Sequence, residues 1–182
     1  MAPPPAPLLI RPESPPDRQA IAQVVAAAFG SQAEADLVDR IRSSPEYVPA
    51  MALVAELAGA IVGHVMISHA VIRNDGGDRR ISMLSPLAVD PAHQRSGIGQ
   101  ALVEHSLHIA DSLGEPIVIL EGSPAYYGPL GFEHSMRYGI EINLPSWAPP
   151  EAAQVKLLTS FDPDDPTLRG TVVYPVAFDG LA

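Results

Sequence analysis

Ile21, Val24, Val25, Ala28 and Phe29 recur at the spacing of one helical face, so a helix is predicted there. Pro15-Pro16-Asp17 in front supplies a start, because proline is tolerated in a first turn and an acid suits the dipole, and Gly30 supplies a stop. Leu37, Val38 and Ile41 predict a second helix over Ala33 to Arg42, with Pro45 just beyond. From Met51 the pattern changes. Met51 to Leu57 reads as a strand, Ala58-Gly59 as a tight turn, and Ala60 to Ile72 as a longer strand rich in Ile and Val. Asn74-Asp75-Gly76-Gly77-Asp78 is a second turn, and Arg80 to Val89 completes an antiparallel meander of three.

A loop over Asp90 to Gly99 then opens a helix reaching about Leu113, with Ile98, Ala101, Leu102, Ile109 and Leu113 as its buried stripe and Gly114 as its end. Pro116 to Leu120 is apolar throughout, as a central strand is. Strand, helix and strand in this order imply a right-handed crossover and two parallel neighbours. Pro86 has no N–H, which weakens the ladder where those neighbours should part. Pro124 to Leu130 predicts one or two helical turns. Further strands are expected at Tyr138 to Leu144, Val155 to Ser160 and Gly170 to Tyr174. No repeat or linker divides the chain; the proline-rich stretch Pro145 to Pro150 is the nearest candidate. The expected organisation is a disordered leader over 1–8 and one domain over 9–182.

Composition narrows the class. The chain has 182 residues, 47% hydrophobic and 18% charged, enough for one real core. No run is long and apolar enough to span a bilayer, and the Pro- and Ala-rich start lacks the marks of a secretory signal, so a cytoplasmic location is the default. Cysteine is absent, which removes disulfides, thiolate metal sites and a cysteinyl acyl-enzyme. Acyl transfer, if present, goes directly from donor to acceptor. A formal net charge of −10 disfavours nucleic acid and mildly attracts a cationic acceptor, although carboxylates that merely keep a surface soluble are the plainer explanation.

The chemistry concentrates in Leu84 to Ala101. A strand ending at Val89 runs into a glycine-bearing turn that opens a long helix, presenting free N–H groups and a positive helix end to an anion. Gly97 and Gly99 let a phosphate approach the backbone, and Arg95 adds a charge for a second phosphate. That construction suits a pyrophosphate. A dinucleotide fingerprint needs glycine where Leu102 stands, and a P-loop needs Gly-Lys-Ser/Thr, which is absent. Coenzyme A is the other common user of this geometry.

Gln94-Arg95-Ser96-Gly97-Ile98-Gly99 resembles the Gln/Arg-x-x-Gly-x-Gly/Ala motif of the GNAT superfamily of N-acetyltransferases, with Val89-Asp90-Pro91 before it and Ala101-Leu102-Val103 after. Ala125-Tyr126-Tyr127-Gly128-Pro129-Leu130-Gly131-Phe132 is similar to that family's Tyr-x-x-x-Gly-Phe segment. Gly63-His64, Pro86-Leu87-Ala88-Val89 and Gly170 to Pro175 resemble its YhbS-like subgroup. The likeness spans about Leu9 to Phe178. It implies an α/β fold of α+β type: one GNAT domain whose mixed, mostly antiparallel sheet is splayed between strands four and five and flanked by helices. It implies acetyl-CoA as acyl donor, a primary amine on a small molecule or protein as acceptor, and no metal.

The resemblance also implies roles. Backbone groups of Leu87 and Val89 would hold the pantetheine arm, with the oxyanion donor near Ala88. Gln94, Arg95, Ser96, Gly97, Ile98, Gly99 and Gln100 would hold the pyrophosphate, and Tyr126 would contact the cofactor. Tyr127 is the expected acid for the departing thiolate, with Tyr126 as the lesser candidate. The base stays open on equal terms between Glu121, which ends the fifth strand where a small or apolar residue is expected, Glu34, His69 and a water chain. His64 reads equally well as a satisfied sheet histidine. His93, His105 and His108 lack the spacing of a metal set. Relatives often pair, which points to a homodimer. The alternative is a degenerate member that binds acyl-CoA as a sensor or structural ligand.

Overall fold

A computed structural model describes residues 5–181. Strand β1 covers Leu8–Pro12, followed by helices α1 (Arg18–Phe29) and α2 (Ala33–Arg42). The meander is β2 (Ala52–Leu57), β3 (Ala60–Asn74) and β4 (Gly77–Val89). Ala58 and Gly59, both at positive φ (51° and 81°), close its first turn. Helix α3 (Ile98–Ser112) crosses over to β5 (Ile117–Glu121), and α4 (Pro124–Tyr127) follows. The chain ends through β6 (Glu133–His134), β7 (Ile140–Glu141), β8 (Ala153–Leu157) and β9 (Gly170–Val173). No helix of the described residues is long and apolar enough to cross a membrane.

The strand order is β1-β2-β3-β4-β5-β8-β6, with β9 bonded to β3 and β7. Period-two alternation sends each strand's apolar residues to two faces. Leu53, Ala55, Val65 and Ile67 meet Leu102, Val103 and Leu107 of α3. Ala52, Val54, Met66 and Ala88 meet Ile21, Val25, Leu37 and Ile41 of α1 and α2. A third cluster joins Ile72, Ile81, Ile117, Ile119, Val155 and Val172. Strand β5 supplies both sides, Val118 and Leu120 to one core and Ile117 and Ile119 to another, which is why it reads as an unbroken apolar run.

The sheet is mixed: β4 and β5 are parallel while the other central pairs are antiparallel. They pair only at Ser82–Val118 and Met83–Ile119, whereas β4 stays paired with β3 up to Val89 and β5 with β8 up to Glu121. Beyond Met83 the two strands diverge, so the edge of β4 from Leu84 to Val89 faces an open wedge. This is the expected splay, and Pro86 lies within it.

A buried ionic cluster ties the helices to the sheet. Glu13 accepts from Arg42 at 2.7 Å and Tyr47 at 2.8 Å and lies 2.9 Å from His64 Nε2. Burial opposes the charge on Glu13, but the bonds from His64, Arg42 and Tyr47 outweigh it and hold its carboxyl at about 2. Tyr47 is pushed up to about 12 by burial and by Glu13.

Several expectations are corrected. Of the leader expected over 1–8, residues 1–4 lie outside the described residues, and Leu8 already pairs with Leu57. Strands β1 and β6 were not anticipated, and the strand expected over Tyr138 to Leu144 shrinks to Ile140–Glu141. Leu113 is 53% exposed, the buried stripe of α3 running instead through Val103, Ser106, Leu107 and Ala110. Phe29 is also largely exposed, at 46%.

Candidate active site

The loop between β4 and α3 is held open by its own hydrogen bonds. Asp90 accepts from the Ala92 amide at 2.9 Å, Gln94 Nε2 donates to the Val89 carbonyl at 3.0 Å, and the Ser96 hydroxyl donates to the His93 carbonyl. Arg95 (φ 60°) and Gly97 (φ 86°) adopt left-handed conformations, which reverse the chain before α3. Gly97 caps the helix with no side chain, so the first-turn amides lack an intrahelical acceptor and face outward. Arg95 is exposed and forms no ion pair among the described residues.

A groove of about 500 Å³ runs along this loop, lined by Leu87, Val89, His93, Arg95, Gly97, Gly99 and Tyr126, with Gln94 and Gln100 beside them. Gly99 is required by Tyr126: a Cβ on it would stand 2.5 Å from the tyrosine hydroxyl. Ile98 turns instead into the core at 6% exposure, and the side chain of Ser96 is spent on the loop, so both can serve only through the backbone. His93, weighed from sequence only as a metal ligand, lies in this groove.

Register decides which groups of β4 face the wedge. The Asp90 amide donates to the Val62 carbonyl at 2.8 Å, and Ala88 sits opposite His64 in the same ladder. Alternation then turns the backbone of Ala88 toward β3 and that of Leu87 and Val89 toward the wedge. The expected oxyanion donor near Ala88 is corrected accordingly: its amide is committed to the sheet, and its side chain is buried under α1. Since Val89's carbonyl takes the Gln94 bond, the open groups are the Leu87 amide and carbonyl and the Val89 amide.

Tyr127 bounds the wedge from the β5 side. Its ring lies on Gly122, where a Cβ would be 2.5 Å away, and packs edge-on to Phe132 (5.5 Å between centroids) and Tyr126 (4.8 Å). Burial pushes the Tyr127 phenol well above its ordinary value, and Tyr126 adds to this. The hydroxyl therefore stays protonated, and it has no hydrogen-bond partner among the described residues.

A second cavity, of about 640 Å³, opens where Met83, Leu84 and Ser85 of β4 face Glu121 of β5. Glu34 of α2 lines it too, with one oxygen buried and unpartnered among the described residues. Half of its remaining lining is aromatic: Phe29, Trp147, Tyr174 and Phe178. The Tyr174 hydroxyl donates to Glu121 Oε1, and burial together with this bond pushes its phenol far up. Two expected bases, Glu121 and Glu34, thus share one cavity. His69 does not join them: it pairs with Glu115 at 3.2 Å and lines a separate pocket. His64 is fully buried against Glu13. His105 and His108 are exposed on α3, and no group of three or more His, Cys, Asp or Glu among the described residues is placed to hold a metal.

The acetyltransferase (GNAT) domain model matches residues 10–135. The chain belongs to the GNAT acetyltransferase family. Among its relatives, the uncharacterised N-acetyltransferase YjhQ of Escherichia coli (strain K12) is 32% identical over 117 residues, which are 64% of this chain and 65% of that protein. The uncharacterised N-acetyltransferase YhbS of the same strain is 29% identical over 138 residues, 76% of this chain and 81% of that one. The crystal structure of E. coli YhbS, a GNAT protein in complex with CoA, covers all of this chain with a TM-score of 0.87 at 29% identity, over 97% of its own length. A GNAT acetyltransferase from Brucella melitensis, solved with acetyl-CoA, gives 0.75 at 31% identity, covering 96% of this chain and 99% of its own. The YhbS-like character and the splayed GNAT fold are therefore established, and the loop, the wedge and the two tyrosines lie inside the matched domain.

The cavity beside Glu121 contains groups that sequence reasoning did not assign to it. From sequence, Tyr174 is the end of a strand and part of the Gly170 to Pro175 resemblance, with no role attached; Trp147 is only part of a proline-rich stretch, and Phe29 only a helix-face position. They meet through contacts between residues far apart in the chain, and no local motif marks such a meeting.

Proposed function

We propose that this chain transfers an acetyl group from acetyl-CoA directly to a primary amine, with both substrates bound at once. One observation carries the reading. The unpaired edge of β4 is bordered at Leu87 and Val89 by the anion-ready loop, and at Leu84 and Ser85 by a cavity lined by two carboxylates. A donor and an acceptor can therefore approach the same backbone edge from different sides. The relatives from E. coli and B. melitensis bound to CoA and acetyl-CoA support the donor side.

In this reading the amides of Ile98, Gly99 and Gln100, helped by Arg95 and His93, bind the pyrophosphate. The free groups of Leu87 and Val89 pair with the pantetheine amides as a missing strand would. Glu121 takes a proton from the acceptor ammonium, directly or through water. The amine lone pair then attacks the thioester carbonyl, forming the C–N bond, and the oxyanion is met by a β4 amide facing the wedge. Collapse breaks the C–S bond while the Tyr127 hydroxyl donates a hydrogen bond to the departing sulfur, and the second proton of the attacking nitrogen passes to that sulfur to give the CoA thiol. An ammonium and acetyl-CoA become an amide, CoA thiol and one released proton. Because burial raises the Tyr127 phenol, it serves as a hydrogen-bond donor to developing thiolate rather than as a strong acid.

Calorimetric titration with acetyl-CoA, with NAD and ATP in parallel, tests the donor site; micromolar binding of acetyl-CoA alone, one per chain, is expected. Amine-dependent release of CoA tests the transfer. Acetyl-CoA binding without release across a broad amine and peptide panel would favour the acyl-CoA sensor instead.

A further inference from the structure

Phe29, Trp147 and Leu181 are 46%, 79% and 38% exposed, and all three stand around the acceptor cavity. Single exposed apolar side chains need no explanation, but their convergence on one cavity marks a ligand surface. They arrive from unrelated places: the end of α1, the turn in which the Ala148 amide donates to the Pro145 carbonyl, and the last described residue. Phe178 adds a ring 5.6 Å from that of Tyr174. Against this wall the only charged side chains lining the cavity among the described residues are Glu34 and Glu121. Glu34 Oε2 is buried without a donor among the described residues, a cost that an incoming N–H group would remove.

Resting on the proposed transfer, we infer that the acceptor is a monocationic primary amine carried on an apolar body. Its ammonium is held by Glu34 and presented to Glu121, while its body packs on Phe29, Trp147 and Phe178. The rings also favour the cation through their faces. A polyamine fits poorly, because its second ammonium would be desolvated against an apolar wall with no further carboxylate to meet it. A lysine within a peptide fits poorly as well. Beyond the carboxylates and Tyr174, Ser85, Asn143 and the Trp147 indole N–H are the polar side-chain groups among the described residues of the lining, few for a peptide backbone.

The test uses four probes on the full-length protein: 2-phenylethylamine, its neutral counterpart 2-phenylethanol, spermidine and Nα-acetyl-lysine amide. Each is titrated into CoA-saturated protein and offered with acetyl-CoA in a CoA-release assay. 2-Phenylethylamine should bind about tenfold or more tightly than the other three. Trp147→Ala and Glu34→Gln should each raise its KM about fivefold or more while changing kcat less than about twofold and leaving acetyl-CoA affinity intact. Equal or better binding by spermidine, the lysine amide or the alcohol overturns the inference, and CoA release with those amines would leave acetyl transfer standing. Preferential binding of 2-phenylethylamine with no CoA release keeps the ligand class and removes the transferase reading. Failure of all four to bind overturns the inference.

Discussion

Tyr127 and Gly99 show how far single residues can be argued. The Tyr127 phenol is raised by burial, makes no hydrogen bond among the described residues and borders the wedge. In the proposed transfer its hydroxyl would serve the leaving sulfur, while its ring packs on Gly122 and Phe132. Tyr127→Phe keeps the ring and removes only the donor. Turnover should fall about 100-fold, with acetyl-CoA affinity within about twofold by calorimetry; unchanged turnover would remove Tyr127 from the mechanism. Gly99→Glu acts on the other substrate. Its side chain must displace Tyr126 and places a negative charge at the helix start, so acetyl-CoA should bind more than about tenfold more weakly in a variant whose circular dichroism is unchanged. The sequence exposed these positions because each belongs to a short local motif whose purpose is backbone geometry. Tyr174 was harder to place, since it meets Glu121 across 53 positions.

At the scale of elements, helices α1 and α2 and the meander were readable because their apolar periods are clean and Gly30, Ala58-Gly59 and Asp75-Gly76 punctuate them. Strand β1 was not, because its five residues end in proline and lie beside a proline-rich start. Its pairing depends on β2, some forty-five positions away. What secures that end of the sheet is Glu13, which follows β1 and bonds Arg42 of α2, Tyr47 and His64 of β3. Glu13→Gln leaves the Arg42 guanidinium, 7% exposed, without its buried counter-charge, and should cost roughly 3 kcal/mol. The pH dependence follows. The folded carboxyl titrates near 2 rather than 4.5, so on acidification the unfolded chain binds this proton first. The contribution is complete above about 4.5 and is lost as pH falls from there to about 2. Thermal unfolding of the two proteins from pH 6 to pH 2 should therefore show a Tm difference that shrinks through that window. A constant difference would mean that Glu13 stabilises by packing and not by charge.

Across the whole molecule, the charge of −10 acts on both substrates of the proposed reaction, with opposite signs. It attracts an ammonium from a distance and repels the phosphates of acetyl-CoA, which only the local field of the α3 start and Arg95 draws in. Exposed charges interact over about 10 Å at 0.1 M salt and over much less at higher ionic strength. Raising sodium chloride from about 50 to about 300 mM should therefore lower kcat/KM for the amine several-fold, chiefly through association. For acetyl-CoA, screening removes long-range repulsion and local attraction together, so its kcat/KM should change less and should not fall in parallel. Steady-state kinetics with each substrate varied at saturating levels of the other separates the two. A parallel decline in both would point to a general salt effect on the fold, and an amine term indifferent to salt would mean that the acidic surface does nothing but keep the protein in solution.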